Sequence, residues 1–413
     1  MTVKRFQDWE PMKTSNIVPK LRFPEFSGEW EIKELGEIAV EITKRAKDKK
    51  YLLLSVTAGQ GLIPQVEKFG KEIAGNSYKN YFVINKFDFA YNKSSTKQYP
   101  QGYIAMLKDY DEAALPNSIF VCFSIDKDYF VPQFLDQLFQ INYHGKWLKK
   151  FIEVGARAHG ALSFDTRHLF ELPLALPNYA EQQKIADCLA SLDELLDLEE
   201  KKLSALQKYK KGLLQKLFPQ GESRVPEWRF PEFQNRGEWE EKMIKDVLCY
   251  EQPTNYIVEE MHSQGIGTPV LTANKSFILG YTNEKNNIYN NVPVIIFDDF
   301  TTDKKYVIFS FKVKSSAIKI LKSIGNNNLK FIFELLQLKN FSADEHKRYY
   351  ISVYQFLKIL IPNLQEQQKI ADFLSGVDEL IEKQRQKIEQ LKQHKKGLLQ
   401  GLFPNINGVG DVN

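Results

Sequence analysis

The stretch EQQKIADCLASLDELL, which begins at Glu181, returns as EQQKIADFLSGVDELI at Glu366. The likeness extends in both directions, so that residues 177–219 and 362–404 align without a gap. Both copies begin with Pro-Asn and close with Lys-Lys-Gly-Leu-Leu-Gln-x-Leu-Phe-Pro. A long segment that occurs twice predicts that the architecture of the chain is itself repeated.

Each copy carries the start and stop signals of a helix. Asn178 and Asn363 precede the first glutamate of their copies by three residues, which is the spacing of a capping box. A proline ends each copy. The apolar residues in between recur every ~3.5 positions, a period typical of a coiled coil. The predicted seam consists of Ile185, Leu189, Leu192, Leu196, Leu203, Leu206, Leu213 and Leu217 in the first copy, and Ile370, Leu374, Val377, Ile381, Ile388, Leu391, Leu398 and Leu402 in the second.

Charge indicates how the two helices pack. The first half of each copy is mainly acidic and the second half mainly basic, and polar residues break the seam at equivalent places: Glu199 and Lys210, then Gln384 and Lys395. Antiparallel packing sets acid against base and complements both helix dipoles, whereas parallel packing sets acid against acid. We therefore expect an antiparallel pair, roughly 50 Å long. The alternative is a helical hairpin inside one globule, which the whole domain between the copies disfavours.

A shorter opening motif precedes each variable stretch, reading PKLRFPEFSGEWEIKELGEI from Pro19 and PEWRFPEFQNRGEWEEKMIKDV from Pro226. The predicted fold class is α+β: two globular mixed α/β domains, separated by two long antiparallel coiled-coil helices, in a pseudo-twofold internal repeat. The predicted boundaries are an N-terminal tail at 1–18, a first domain at 19–176 with its opening motif at 19–39, a central helix at 177–219, a second domain at 220–361 with its opening motif at 226–247, a C-terminal helix at 362–404 and a tail at 405–413.

Composition limits the class of protein. The 413 residues are 43% hydrophobic, enough for about two or three domains. A net charge of +4 permits nucleic-acid binding without indicating it. No apolar run reaches the ~20 residues of a membrane span, and the first residues lack a signal peptide's apolar core. Cys122, Cys188 and Cys249 are scattered, which argues against a zinc ribbon and fits reduced thiols. We expect a cytoplasmic protein away from the membrane.

Both variable stretches carry mixed signals for secondary structure. In the first, strand-like runs begin at Tyr51, Tyr81 and Asn117, and one helix is predicted over residues 132–148. In the second, strands are predicted in TPVLTA, VPVIIFDD and KYVIFSFKV, and helices around SSAIKILKSIG and LKFIFELLQL.

The polar loops between these runs have a similar amino-acid composition in both domains. Lysine and arginine neutralise phosphates, while amide and hydroxyl side chains reach base edges. Any single loop also fits an ordinary solvated turn, but the set favours DNA. The candidate DNA-binding residues are Asn92, Lys93, Ser94, Ser95, Lys97, Gln98, Tyr99, Arg157, His159, Asn255, Tyr256, Asn274, Lys275, Thr301, Thr302, Lys304 and Lys305.

The chain shows no familiar catalytic motif. It has no G-x-G-x-x-G, no P-loop, no Pro-Pro pair for an amino-methyltransferase loop and no H-E-x-x-H. Asp298 and Asp299, with Lys304 or Lys305, are the best nuclease candidates, although a strand-end turn explains them as well. Cys122 lies in an alternating strand pattern and is predicted to be core rather than nucleophile. We predict neither a metal site nor a cofactor in this chain.

These features resemble the specificity subunit of type I restriction–modification systems over essentially the whole chain after Pro19. The likeness rests on the LRFPEF…GEW opening motifs, the PN-x-x-EQQKIA helices and the KKGLLQ-x-LFP endings. The segments FAYNKSSTKQYP and GYTNEKNNIY…VIIFDDFTTDKK are also similar to parts of such subunits.

The resemblance implies a non-catalytic subunit that binds double-stranded DNA. Each domain would read one half of a bipartite site, asymmetric here because the domains differ, while the helices set the spacer. The implied partners are two adenine-N6 methyltransferase subunits that use S-adenosylmethionine and, where the system has them, two restriction subunits that use ATP with Mg. Two alternatives stay open: a stand-alone nuclease or methyltransferase with an unfamiliar site, and a coiled-coil adaptor that makes no DNA contact.

Overall fold

The computed structural model describes residues 17–57, 59–152, 160, 162–163, 165–273, 276–338 and 349–404. They fall into two compact units. The first unit lies within Met1–Leu198 and Ile388–Asn413, and the second unit is within Glu199–Lys387. Each unit therefore combines a globular head and the start of its own long helix with the end of the other long helix.

The first unit contains short strands and helices ahead of one long helix. Its strands are β1 (Glu31–Glu34), β2 (Ala39–Glu41), β3 (Leu54–Thr57), β4 (Gly61–Pro64), β5 (Phe82–Asn85), β6 (Phe89–Asn92), β7 (Tyr103–Met106), β8 (Glu112–Leu115), β9 (Phe120–Ile125) and β10 (Pro173–Leu176). Its helices are α1 (Leu35–Ile38), α2 (Gln65–Phe69), α3 (Pro132–Gln140), α4 (Tyr143–Leu148), α5 (Arg167–Phe170) and the first part of α6 (Tyr179–Leu217).

The second unit follows the same plan. Its strands are β11 (Glu240–Met243), β12 (Leu248–Glu251), β13 (Thr268–Leu271), β14 (Ile278–Thr282), β15 (Val294–Asp298), β16 (Lys304–Val307), β17 (Lys312–Val313), β18 (Ile318–Ser323) and β19 (Lys358–Ile361). Its helices are α7 (Ile244–Val247), α8 (Leu329–Gln337), α9 (Tyr349–Ser352) and most of α10 (Leu364–Leu402), and a 3-10 turn spans Pro253–Tyr256.

The two heads share one sheet topology although their sequences differ. The first holds a four-stranded sheet in the order β2-β9-β6-β7, and the second holds one in the order β12-β18-β15-β16. Every neighbouring pair in both sheets is antiparallel. In each sheet the last two strands are consecutive in the chain. The β6–β7 loop (residues 93–102) and the β15–β16 loop (residues 299–303) are therefore equivalent connections.

Each head is closed by its own first and last strands. β1 pairs antiparallel with β10, and β11 pairs antiparallel with β19. Because β10 and β19 come directly before α6 and α10, this pairing fixes where each long helix leaves its head.

An arginine and a tryptophan of the opening motif hold the start of the long helix. In the first unit Arg22 donates through Nε and Nη2 to the two carboxylate oxygens of Glu181, each at 2.8 Å, and Trp30 Nε1 donates to Oε1 at 3.3 Å. A bidentate guanidinium–carboxylate pair is among the stronger charge-assisted contacts. The opening motif and the EQQKIA segment therefore form one joint between head and helix.

The second unit repeats the joint. Arg229 bonds both oxygens of Glu366 at 2.7 Å, and Trp239 Nε1 lies 3.3 Å from Oε1. Asn363 caps α10 as predicted, because its Oδ1 accepts from the Glu366 amide at 3.0 Å. The glutamate itself is wrongly predicted as the reciprocal capping-box residue, since its carboxylate points to the opening motif.

The helix seam is apolar where it was predicted to be. Ile185, Leu189, Leu196, Leu217, Ile370, Leu374, Val377, Ile381, Ile388 and Leu402 are buried, and Leu192, Leu203, Leu206, Leu213, Leu391 and Leu398 are half-buried. Leu214 and Leu399 are also buried, although the heptad pattern does not include them.

The polar breaks of the seam are matched to partners. Gln384 Nε2 donates to Glu199 Oε2 at 2.6 Å and to its carbonyl at 3.0 Å, so these equivalent residues of the two copies meet each other. Lys210 pairs with Asp378 at 2.7 Å in the second unit. Lys395 pairs with Asp193 at 2.5 Å in the first. From Glu199 to Lys210 the chain advances along α6, whereas their partners Gln384 and Asp378 run backwards along α10. The two helices are therefore antiparallel, as predicted.

Each head also packs against the end of the helix from the other repeat. In the first unit the ring centroids of Phe134 and Phe403 lie 5.1 Å apart. In the second unit the ring centroids of Phe218 and Phe331 lie 5.2 Å apart, and Phe218 packs edge-on against Trp239. Phe218 and Phe403 are equivalent residues of the KKGLLQ-x-LFP endings, which explains why both copies carry that ending.

Three predictions of secondary structure are wrong. The predicted strand KYVIFSFKV is divided between β16 and β17, which belong to different sheets. The helix over residues 132–148 is broken into α3 and α4, because Asn142 adopts a left-handed conformation with φ 57°. The segment SSAIKILKSIG forms strand β18 rather than a helix. Its Lys319 is fully buried, where Asp299 and Gln252 bind it. The sheet thus stabilises a strand whose sequence pattern is also compatible with a helix.

Among the described residues, none of the helices has the length and apolar character needed to cross a bilayer.

Candidate nucleic-acid interface

The described candidate residues of the first head, 92–99, lie at one end of its four-stranded sheet. Asn92 ends β6, opposite Tyr103 on β7 and Phe120 on β9. Its Oδ1 accepts from the Ser94 amide at 3.0 Å, and the Lys93 amide donates to the Ile119 carbonyl at 2.9 Å. The β6–β7 loop therefore starts in a fixed geometry.

The middle of the loop faces solvent. Ser95, Thr96, Lys97 and Gln98 are exposed, whereas Asn92, Lys93, Ser94 and Tyr99 are half-buried. Thr96 Oγ1 accepts from the Tyr99 amide at 3.0 Å, and the Tyr99 ring packs edge-on against Tyr103 at 4.7 Å. Hydroxyl, amide and ammonium groups are thus presented on an ordered turn.

The end of the loop rests on buried groups that the sequence did not reveal. Gly102 has φ +84°, and a Cβ there would lie 2.5 Å from the Asn92 carbonyl oxygen. The carbonyl of Gly102 lies 3.4 Å from Nε2 of the fully buried His144. Burial lowers the pKa of His144 to about 4, against a smaller opposing effect of the Gly102 contact, so the imidazole is neutral near pH 7.

In the second head, Asn255 and Tyr256 follow β12. Asn255 is exposed and lies in the 3-10 turn. Tyr256 donates its hydroxyl proton to Glu251 at 2.8 Å, and that hydrogen bond raises the pKa of Tyr256.

The β15–β16 loop is held by its own backbone and by Asp298. Asp298 Oδ1 accepts from the amides of Phe300 and Thr301, both at 2.9 Å, and its carbonyl accepts from Thr302 at 3.0 Å. Thr301 is exposed, whereas Thr302 is buried at φ +60°, a strained conformation for a β-branched residue. The turn therefore has one defined shape.

The two lysines that follow the turn are less exposed than expected. Lys304 and Lys305 are both half-buried on β16. Burial lowers the pKa of Lys304, whose ammonium group lies 5.7 Å from the centre of the Tyr354 ring.

A buried ion pair brings these segments together. Lys319 Nζ lies 3.1 Å from Asp299 Oδ2 and 3.1 Å from Gln252 Oε1. Asp299 Oδ1 accepts from the Tyr350 amide at 2.9 Å. Strand register puts the end of β12, the β15–β16 loop and the start of β18 at the same end of the sheet. The predicted residues near 255 and 301 thus lie at the same end of the sheet, which we call the edge of the head.

The same contacts explain the carboxylates that suggested a nuclease. Asp298 stabilises the turn, and Asp299 forms a buried ion pair, so both have structural roles. Within the described ranges, no group of three or more His, Cys, Asp or Glu side chains is arranged to hold a metal ion.

Sequence reasoning missed one segment of this edge, Lys314-Ser315-Ser316, which precedes β18. All three residues are exposed. The Asp299 amide donates to the Ala317 carbonyl at 2.9 Å, which joins this segment to the β15–β16 loop. The sequence does contain a pattern that could have identified this segment, because the same tripeptide Lys-Ser-Ser occurs among the candidate residues of the first head, at 93–95.

Four predicted residues, Arg157, His159, Asn274 and Lys275, lie outside the residues that the structure describes. Cys122 is buried on β9, and burial raises the pKa of its thiol, as expected for a core residue. Cys188 is half-buried and Cys249 is exposed.

Comparison with known proteins gives a consistent result. The family profile described as "Type I restriction modification DNA specificity domain" matches residues 27–208 and 236–393. The chain is 43% identical to the EcoR124I/EcoR124II specificity subunit of Escherichia coli over 34% of this chain and 36% of that protein. It is 25% identical to the putative MjaX specificity subunit of Methanocaldococcus jannaschii over 92% of this chain and 94% of that protein.

Two solved structures share the fold. The type I restriction–modification S subunit from M. genitalium has a TM-score of 0.61 and 14% identity, covering 95% of this chain and 100% of that one. A chain from a study of complex assembly in the type I system has a TM-score of 0.51 and 15% identity, covering 91% of this chain and 98% of that one.

The matched residues make up most of the chain, and the chain belongs to the family of type I restriction–modification DNA specificity domains. Within that family it is a specificity subunit, a DNA-recognition protein that is not itself an enzyme and carries no cofactor of its own.

Proposed function

We propose that each head reads one half of a bipartite, asymmetric DNA site. The reading surfaces are the edges that carry the β6–β7 loop in the first head and the β15–β16 loop in the second. Under this proposal residues 19–176 and 220–361 are the two recognition domains. The two helices set the number of unread base pairs between the half-sites.

One observation carries the proposal. The two heads differ in sequence yet have the same strand order, and some candidate residues of each head, 93–99 in the first and Thr301 and Thr302 in the second, fall on the same connection of that sheet. Equivalent placement is expected if both loops do the same task on different bases. Exposed Lys97 and Lys314 suit phosphates, and exposed Gln98, Thr301 and Ser315 suit base edges.

We further propose that the chain acts in the cytoplasm as part of a larger assembly on double-stranded DNA. The helices would dock two methyltransferase subunits, which would supply S-adenosylmethionine and extrude the target adenine. Two restriction subunits with ATP and Mg would join where the system has them. The specificity subunit would only hold the duplex around the extruded base.

Genome-wide mapping of methylated adenines tests the proposal. Cells with the specificity and methyltransferase subunits should methylate one bipartite motif. Replacing Thr301 by Ala should relax only one half-site, and replacing Gln98 by Ala should relax only the other. Lys358→Ala, on the two-stranded β11–β19 sheet, serves as a control that leaves the motif unchanged. If both loop variants changed the same base pairs, or if neither changed the motif, the proposal would be wrong.

A further inference from the structure

We propose that Phe300 recognises a thymine in the second half-site by packing its ring against the 5-methyl group in the major groove. This inference rests on the proposed function, because it assigns a base to one residue of the β15–β16 loop.

The first support is the rigid presentation of Phe300. Its amide donates to Asp298 Oδ1 at 2.9 Å, and the following residue is bound to the same oxygen. On its other side, Asp299 is anchored by the buried Lys319. A loop backbone held in this way loses little conformational freedom when it meets a partner.

The second support is exposure. The Phe300 side chain is 43% exposed, although phenylalanine is usually buried. The same end of the sheet also carries the exposed polar residues Thr301, Lys314, Ser315 and Ser316. An apolar ring at an end of the sheet that also presents hydroxyl and ammonium groups matches a DNA groove better than an apolar protein surface.

The third support is the chemistry of the groove. The thymine methyl is the apolar group that a base pair presents on its major-groove edge, and side chains such as phenylalanine contact it. The surrounding lysines and serines suit the phosphates and polar base edges on either side. In the equivalent β6–β7 loop the exposed residues are Ser95, Thr96, Lys97, Gln98 and Pro100, so that loop exposes no aromatic ring comparable to Phe300.

The test replaces thymine by uracil, which removes only the methyl group. The complex of specificity and methyltransferase subunits is bound to duplexes carrying its mapped site, with each thymine of the second half-site replaced singly, on either strand. For the wild type, one position should weaken binding about fourfold, the value of one methyl group removed from water. Phe300→Ala should bind the thymine site more weakly and be insensitive to that replacement.

Ile308→Ala is the matched control. Ile308 is 69% exposed and follows β16 at the opposite end of the strand, so this variant should keep the wild-type response to uracil. The proposal is overturned if the half-site contains no A·T pair, if uracil has no effect at any position, or if Phe300→Ala responds like the wild type. It is also overturned if Phe300→Ala weakens subunit assembly without DNA. A complex that binds its mapped site no better than random DNA would instead refute the proposed function.

Discussion

Arg229 and Glu366 lie 137 residues apart in the chain, yet the guanidinium group donates to both carboxylate oxygens at 2.7 Å. The side chains are only 8% and 0% exposed. The pair links the opening motif of the second head to the first turn of α10, and Arg22 with Glu181 makes the equivalent link in the first unit. The structure thus explains two separate sequence repeats by a single contact.

Replacing Arg229 by Met should destabilise the second unit by about 3–5 kcal/mol, because Glu366 would stay buried without its partner. The measurement is urea denaturation followed through a fluorotryptophan resonance of Trp239. Glu232→Gln is the control, since the side chains of the Glu232–Lys369 pair are about half exposed and the pair should contribute little to stability. Equal effects of the two substitutions would contradict the role given to the joint.

The pair formed by Gln384 and Glu199 predicts a non-additive effect. Gln384→Leu should cost about 1–3 kcal/mol, because Glu199 loses a buried hydrogen-bond donor. The double change to leucine at both positions should recover most of that loss, since it restores an apolar seam. Gln386→Leu, at an exposed position of the same helix, should change stability by less than about 0.5 kcal/mol. A double variant as unstable as the sum of its single changes would count against direct pairing.

His144 predicts a pH dependence of the first unit. Its pKa is about 4 in the folded protein, below the ordinary value of 6.5, so the unfolded chain binds more protons between these pH values. The contribution of His144 to the free energy of unfolding is therefore complete above pH 6.5. It is lost as the pH falls towards 4, by up to about 1.4 kcal/mol per pH unit.

Urea denaturation at several pH values, followed through a fluorotryptophan resonance of Trp147, measures how the free energy of unfolding changes with pH. His144→Phe should be destabilised at pH 7 by imperfect packing but should show a flatter profile between pH 6.5 and 4. A profile parallel to that of the wild type would show that another group is responsible.

Lys314 predicts a change in salt dependence. If its exposed ammonium group neutralises one phosphate, Lys314→Ala should weaken DNA binding regardless of sequence. The slope of log K against log salt should fall by about 0.9. Lys358→Ala removes an exposed lysine from a different sheet of the same unit and should leave the slope unchanged. An altered methylation motif in Lys314→Ala would mean that this lysine contacts bases instead.

Much of the long-helix architecture could be predicted because its causes are local. An asparagine three residues before a glutamate specifies a helix start, and charge that reverses along a heptad specifies antiparallel packing. The role of Glu181 could not be predicted, because its partner Arg22 is 159 residues away and no local pattern connects them.

The heads were harder to predict for the same reason. Runs of apolar, β-branched and aromatic residues located β9 and β15. In contrast, β18 is a strand because β12 and β15 pair with it and because Asp299 pairs with its buried Lys319. The candidate loops could be selected by composition. Their equivalence depends on strand order, which appears only in the folded sheet.

The strand pairing that closes each head has a consequence for how such proteins diversify. Since β1 pairs with β10 and β11 with β19, both ends of each head meet at the joint made by arginine, tryptophan and glutamate. The residues between those strands can be exchanged as a cassette that leaves the joint intact, provided that the replacement keeps an aromatic residue where Phe134 or Phe331 packs against the end of a long helix. Under the proposed function, such an exchange would change the half-site that one head reads while both long helices kept their sequences.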